Sequence, residues 1–309
     1  MTVAIVTHPS CILHAMGKSH PESPARLVSI NQALQEASHI QEMMHNYQAK
    51  PVNLTHLQRV HDTDYLEMLQ VKAQGLEDNI YWLNGDTAMI KHTLPAAALA
   101  AGAAVLAVEL VLSGKEQSAF CAIRPPGHHA GRDFAMGFCL YNNVAIAAAH
   151  ALEWGQLERI AIVDFDVHHG NGTEDIVANN EKILFCSSFQ HPFYPYEGDD
   201  SKALNVCNLP LPEGTSGVYY RQLVTEIWLP RLNDFKPQLI LISAGFDAHV
   251  DDPLGGLCFM EEDYAWITRQ IREVAWRHAQ GRIVSCLEGG YNLHALASSV
   301  VAHVEALAQ

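Results

Sequence analysis

An open α/β sheet, mostly parallel and flanked by helices, is the fold this sequence predicts. Three observations predict it. Short apolar runs rich in β-branched residues alternate with longer helical patterns along the chain. Two of the runs, residues 160–163 (IAIV) and 239–242 (LILI), are apolar at every position, which suits strands covered on both faces. Gly-rich polar clusters come directly after the runs, and open α/β sheets bind ligands beyond the carboxyl ends of their strands.

In chain order the predicted strands are 3–6, 119–123, 159–163, 182–186, 238–242 and 282–286. Helical periodicity marks Thr93–Leu112, with Ala and Leu on a broad face, then Asn143–Glu153, 218–233, Glu261–His278 and Leu293–Ala308. No repeat, low-complexity tract or Gly/Ser linker divides the chain, so residues 1–309 read as one domain. With 49% hydrophobic and 17% charged residues, the composition is globular and argues against disorder. Lys and Arg number 19 against 34 Asp and Glu, a net charge of −15. That balance argues against binding a nucleic-acid backbone and suits a cationic substrate. None of the seven cysteines is spaced C-x-x-C, which argues against a disulfide framework and a cysteine zinc site. The opening MTVAIVTHPS has no basic leader, and the longest apolar run, 96–108, is shorter than the roughly 20 residues a bilayer span needs. A cytoplasmic protein without membrane contact is the expectation.

Four post-strand loops carry the chemistry: RPPGHHAGRDFAMGF (124–138), DFDVHHGNGT (164–173), SAGFDAHVDDPLGG (243–256) and LEGGYN (287–292). Strand alternation sends Asp164, Asp166 and His168 one way and Phe165 and Val167 the other. Two carboxylates and an imidazole packed together call for a cation, because buried charge must be paired. The bland alternative has the acids capping the Gly-rich turn. Asp247 follows another buried strand and completes an Asp/His/Asp set. Three protein ligands leave a position for water, the pattern of a catalytic metal site. Oxygen and nitrogen donors fit zinc, and they also fit iron, cobalt or manganese. The adjacent His128 and His129 are suited to take a proton from a water and to deliver one to a leaving amine. Asp164 is the carboxylate expected behind one of them. In Glu288-Gly-Gly-Tyr291, the glycines let backbone approach a ligand and the Tyr hydroxyl suits an oxyanion. Isolated histidines such as His39 and His303 read as incidental.

Taken together, RPPGHHA, GFCLYNN, VDFDVHHGNGT, SAGFDAH, DPLGG and LEGGY, preceded by HPESPARL (20–27) and VHDTDYL (60–66), resemble the zinc-dependent histone deacetylase superfamily. That group takes in acetylpolyamine amidohydrolases and acetoin-utilisation proteins. The likeness covers nearly the whole chain, and RPPGHHA and VDFDVHHGNGT resemble its class II branch. It implies an arginase-like α/β fold with Zn2+, or Fe2+ or Co2+ in its place, held by Asp166, His168 and Asp247. It implies that Asp164 backs His128, and that His129 serves as general base and acid with Asn171 behind it, where class I members have Asp. Tyr291 then stabilises the oxyanion of the hydrolysed amide. Gly137, Phe138 and Tyr194 match the walls of an acetyl-lysine tunnel; Tyr194 stands where many members have Phe, and so adds a hydroxyl. Asp86 matches a rim residue that holds the substrate backbone. Asp164, Asp166, His168 and Ser187 match a structural monovalent cation site, implying K+, although Phe189 stands where relatives often have His.

Leu254 stands where the polyamine-selective branch carries Glu. It leans the expectation toward acetyl-lysine in peptides or proteins, with small acylated amines such as acetylpolyamines as the alternative. A non-catalytic acyl-lysine binding module would show a broken ligand or Tyr set, and here the set is filled. Arginase-like hydrolysis would need a second Asp/His metal cluster, and the sequence offers none.

Overall fold

The computed structural model describes residues 2–17, 19–77 and 79–309. Its strands are β1 (Val3–Thr7), β2 (Met44–Gln48), the short pair β3 (Tyr81–Trp82) and β4 (Ala88–Met89), β5 (Ser118–Cys121), β6 (Ile160–Asp164), β7 (Ile183–Gln190), β8 (Val206–Leu211), β9 (Leu239–Ala244) and β10 (Ile283–Leu287). All but β3 and β4 join one sheet in the order β2-β1-β5-β10-β9-β6-β7-β8. Every pairing in it is parallel. β5, β6, β7, β9 and β10 are buried at every residue, as the unbroken apolar runs of a parallel sheet require.

The helices are α1 (Ala25–Glu36), α2 (Leu54–Gln58), α3 (Thr63–Ala73), α4 (Thr93–Leu112), α5 (Asn143–Glu153), α6 (Asn171–Val177), α7 (Gly217–Leu223), α8 (Leu229–Phe235), α9 (Glu261–His278) and α10 (Leu293–Ala308). α4 and α5 pack on each other against the sheet, and α1, α9 and α10 form a second packed layer. α4 is apolar on all sides and long enough to cross a membrane by length and composition, yet 78% of that stretch is buried inside the fold. An all-apolar helix is what a core position between sheet and neighbouring helices selects. Asn142 and Asn292 cap α5 and α10 through their side-chain oxygens, so two chain turns near the site are fixed by local chemistry.

The sequence expectations differ from the structure at the edges. β2 and β8, the two edge strands, carry no uniform apolar run; β8 contains Pro210, which an edge strand tolerates because the sheet lacks a partner on that side. The helix expected over 218–233 is α7, a π-helical turn (Val224–Trp228) and α8 in succession; Pro230 lacks the N–H an unbroken α-helical ladder needs there. Strand alternation does not extend through the 164–168 motif, because β6 ends at Asp164. Asp166 and His168 are instead aimed by two local turns, in which Asp166 N donates to Asp164 Oδ1 and His168 N to Asp166 Oδ1. Phe165 and Val167 still enter the core.

Register then explains convergence. Asp164 pairs with Ser243, Ser243 with Cys286, and Cys286 with Cys121. The carboxyl ends of four adjacent central strands therefore lie level, and the loops after β5, β6, β9 and β10 open on one place.

Candidate active site

The floor of that place is Asp166, His168 and Asp247, whose ligand-type atoms lie within 4.8 Å of one another. Backbone donors hold both carboxylates. Asp166 Oδ2 accepts from Gly289 N at 2.8 Å, and Asp247 Oδ1 accepts from Val167 N at 3.0 Å. His168 Nδ1 lies 3.0 Å from Asp166 Oδ1 and 3.3 Å from Asp247 Oδ2. Asp247 is fully buried, and apart from the 3.3 Å ion-pair approach of His168 its Oδ2 has no hydrogen-bond donor. Burial, then the neighbouring Asp166 charge, pushes the Asp247 carboxyl up to about 7. Burial opposes charge on His168, but its two carboxylate partners outweigh it and raise the imidazole to about 9. An orphaned carboxylate oxygen beside a second buried acid is a costly arrangement that a divalent cation relieves. The donor set of two carboxylates and one imidazole fits such an ion. A Cβ on Gly289 would sit 1.9 Å from Asp247 Oδ2, so only glycine permits this close approach.

The histidine pair lies beside the floor, with ring centroids 4.1 Å apart. His128 Nδ1 is 3.0 Å from Asp164 Oδ2, and His129 Nδ1 is 2.7 Å from Asn171 Oδ1. Asn171 Nδ2 faces Glu197 Oε2 at 3.3 Å, which fixes the amide so that its oxygen meets His129. The two rings differ sharply. Burial works against charge on His128, yet Asp166 and Asp164 outweigh it and hold its pKa well above the ordinary value. On His129, burial and then the charges of His128 and His168 push it well below.

A cavity of about 330 Å³ leads to this floor, lined by Asp86, His129, Gly137, Phe138, His168, Phe193, Tyr194, Pro253, Leu254 and Tyr291. Its Phe138 wall is a tight turn. Met136 and Cys139 bridge, and both central residues, Gly137 (φ 53) and Phe138 (φ 71), lie in the left-handed region. For a bulky residue this is strained by about 1–3 kcal/mol. Two bonds hold it: Gly137 N to Asp86 Oδ1 and Phe138 N to Thr87 Oγ1. A Cβ on Gly137 would also strike the His129 ring at 2.2 Å.

The structure thus gathers Asp164, Asp166, His168, Asp247, His128, His129, Asn171, Tyr291, Gly137, Phe138, Tyr194, Leu254 and Asp86 around one cavity and its floor. Ser187 pairs with Asp164 in strand register, and its Oγ meets His169 Nδ1 at 3.0 Å.

Several supports were not read from the sequence. Phe193 stacks on His168, with centroids 5.5 Å apart. Asp252 Oδ2 accepts from Tyr291 N, and its Oδ1 from Leu254 N. Glu288, buried and pushed up to about 7 mainly by that burial, accepts from Gly127 N and His128 N. Arg26 donates to the carbonyls of Glu288 and Gly290 and lies 4.9 Å over the Tyr291 ring. Buried Glu22 pairs with both Arg26 and Arg124. Their signal was present in HPESPARL and VDDPLGG, but the partners are main-chain groups distant in sequence.

A family model for the histone deacetylase domain matches residues 20–307. The chain is 41% identical over 305 residues to an uncharacterized protein of Synechocystis sp., slr0245, and the alignment covers 97% of each. It is 36% identical over 359 residues to type-2 histone deacetylase 2 of Dictyostelium discoideum, covering 99% of this chain and 21% of that protein. The chain therefore spans about a fifth of that longer relative and almost all of the cyanobacterial one. In three dimensions, the HDA15 HD domain matches with a TM-score of 0.92 at 32% identity, over 100% of this chain and 90% of that one.

Proposed function

The chain belongs to the histone deacetylase family, class II-like, and we propose that it hydrolyses the acyl-amide of Nε-acetyl-lysine in peptides or proteins. The observation that carries this reading is the orphaned, buried Asp247 Oδ2, set with Asp166 and His168 at the foot of an aromatic-walled cavity. Asp166, His168 and Asp247 would hold a divalent ion, Zn2+ by preference and Fe2+ or Co2+ as alternatives, which when bound would supply an acidified water and polarise the amide oxygen.

The remaining work falls to the chain. His129 uses Nδ1 toward Asn171 Oδ1, which leaves the Nε2 lone pair free. Its depressed pKa keeps the ring neutral near pH 7, so Nε2 accepts the proton of the attacking water. The same nitrogen returns that proton to the departing amine as the carbon–nitrogen bond breaks. His128, held charged by Asp166 and Asp164 against the opposing effect of burial, places positive charge beside the reacting centre. The Tyr291 hydroxyl stays protonated, since burial keeps its pKa well above 10, and donates to the developing oxyanion. Phe138 and Tyr194 flank the methylene arm, and Leu254 at the mouth supports a neutral substrate tail. We further propose that K+ is held structurally by Asp164, Asp166, His168 and Ser187.

Amine release from an acetyl-lysine peptide and from N-acetylputrescine, with and without a chelator, tests the reading. Chelator-sensitive turnover that favours the peptide is expected. Preference for N-acetylputrescine would move the protein to small acylated amines, and no turnover of either by the metal-loaded enzyme would reject both.

A further inference from the structure

The mouth of the cavity holds a bond that the floor chemistry does not use. Tyr194 Oη donates to Asp86 Oδ2 at 2.8 Å. The other oxygen of Asp86 is also engaged, by Thr87 Oγ1 at 2.6 Å and Gly137 N at 3.2 Å. Asp86 belongs to the 84–87 loop, which is already fastened to the Phe138 wall through Asn84 and Thr87. Tyr194 belongs to the loop after β7, on the opposite wall. Its hydroxyl therefore spans from one wall to the other and takes up the acceptor that a substrate tail would meet first. The bond is charge-assisted and half-buried, so it competes well with water and with incoming N–H donors.

Building on the deacetylase reading above, we propose that Tyr194 is a specificity-determining residue. Its hydroxyl braces the two walls through Asp86 and withholds that carboxylate from the main-chain N–H groups of a peptide. Selection then falls on the acyl-amine arm and not on the peptide backbone.

The test compares an acetyl-lysine peptide with the same peptide methylated on the main-chain nitrogens of the acetyl-lysine and the residue after it. In the wild-type enzyme, KM for the two should agree within about twofold. Tyr194→Phe keeps the aromatic wall and frees Asp86, so KM for the unmethylated peptide should fall about tenfold. The readout is the ratio of the two KM values, which should move about tenfold in favour of the unmethylated peptide whatever the variant does to turnover of both. A wild-type enzyme that already discriminates about tenfold, or a variant that shifts both peptides alike, overturns the proposal. Amide hydrogen exchange gives a readout independent of turnover. Tyr194→Phe should raise exchange at Gly137 and across residues 84–87, and unchanged exchange removes the brace. If neither peptide is hydrolysed by the metal-loaded wild type, the deacetylase reading fails, while exchange still decides whether the brace exists.

Discussion

The floor and the mouth of the cavity are built by different means. On the floor, Asp166 and Asp247 are held by main-chain N–H groups of Gly289 and Val167, on loops that leave the neighbouring central strands β6, β9 and β10. At the mouth, Tyr194 is tied to the Asp86 side chain, and Asp86 accepts from two side-chain hydroxyls and one main-chain N–H, on half-buried loops. A carboxylate clamped by buried backbone cannot turn away when its charge is uncompensated, so the floor keeps an orphaned oxygen that calls for a cation. A side-chain bond at a half-exposed rim can instead satisfy a carboxylate internally and keep it from a substrate. The floor sets what chemistry is done, and the mouth tunes what it is done to.

The largest effect should come from the floor. Asp247→Ala removes one of the three facing donors and should abolish stoichiometric metal uptake, with turnover reduced by more than about 10³. Metal analysis of the purified variant checks it; full metal content would detach Asp247 from the ligand set. Tyr291→Phe should retain the metal and lose about 10²–10³ in kcat, as loss of an oxyanion donor does. Near-normal turnover would end the role given to Tyr291.

Between floor and mouth, Gly137→Ala sharpens the contrast, since its Cβ must displace the His129 ring in a backbone already left-handed. Stability should drop by about 1–3 kcal/mol, read from urea unfolding, and kcat should fall with it. A variant as stable and active as wild type would contradict a turn locked against the His129 ring.

A smaller effect concerns how the histidine loop is held. His61 is buried, with Nδ1 donating to the Gly131 carbonyl at 2.7 Å and Nε2 accepting from Asn142 N at 3.0 Å. It is needed neutral, and burial lowers its pKa to about 4. The unfolded value is about 6.5, so between these values the unfolded chain binds more protons. This contribution to stability is therefore complete above about pH 6.5 and falls as pH drops toward 4, by at most about 1.4 kcal/mol per unit. The stability gap between wild type and His61→Gln should narrow on going from pH 7 to 5. A gap independent of pH would contradict a neutral, bonded His61. The rim closes the series: Tyr194→Phe is read in the ratio of KM values for the two peptides.

The same contrast governs what the sequence made readable. The central strands are readable because burial on both faces leaves unbroken apolar runs, and helices α4, α5, α9 and α10 because their apolar positions recur at helical spacing. The edge strands β2 and β8 do not, since half-exposed strands tolerate His45, Asn46 and Pro210. Asp166, His168, Asp247 and the histidine pair were legible because reactive residue types cluster after strands. Asp252, Glu288 and His61 were not, because each acts on a backbone N–H or C=O brought near only by the fold. The resemblance assigns Asp86 to the substrate backbone, whereas its bond to Tyr194 joins two loops 108 residues apart in sequence and leaves no local signal.

The central claim is a divalent-metal site at Asp166, His168 and Asp247 that turnover depends on. Titrating Zn2+ into the metal-stripped protein by calorimetry, with acetyl-lysine peptide turnover followed in the same samples, tests it most directly. Activity rising in step with a single tightly bound equivalent, and neither event in Asp247→Ala, is the predicted result. Full turnover without bound metal, or tight binding that survives Asp247→Ala, would contradict it.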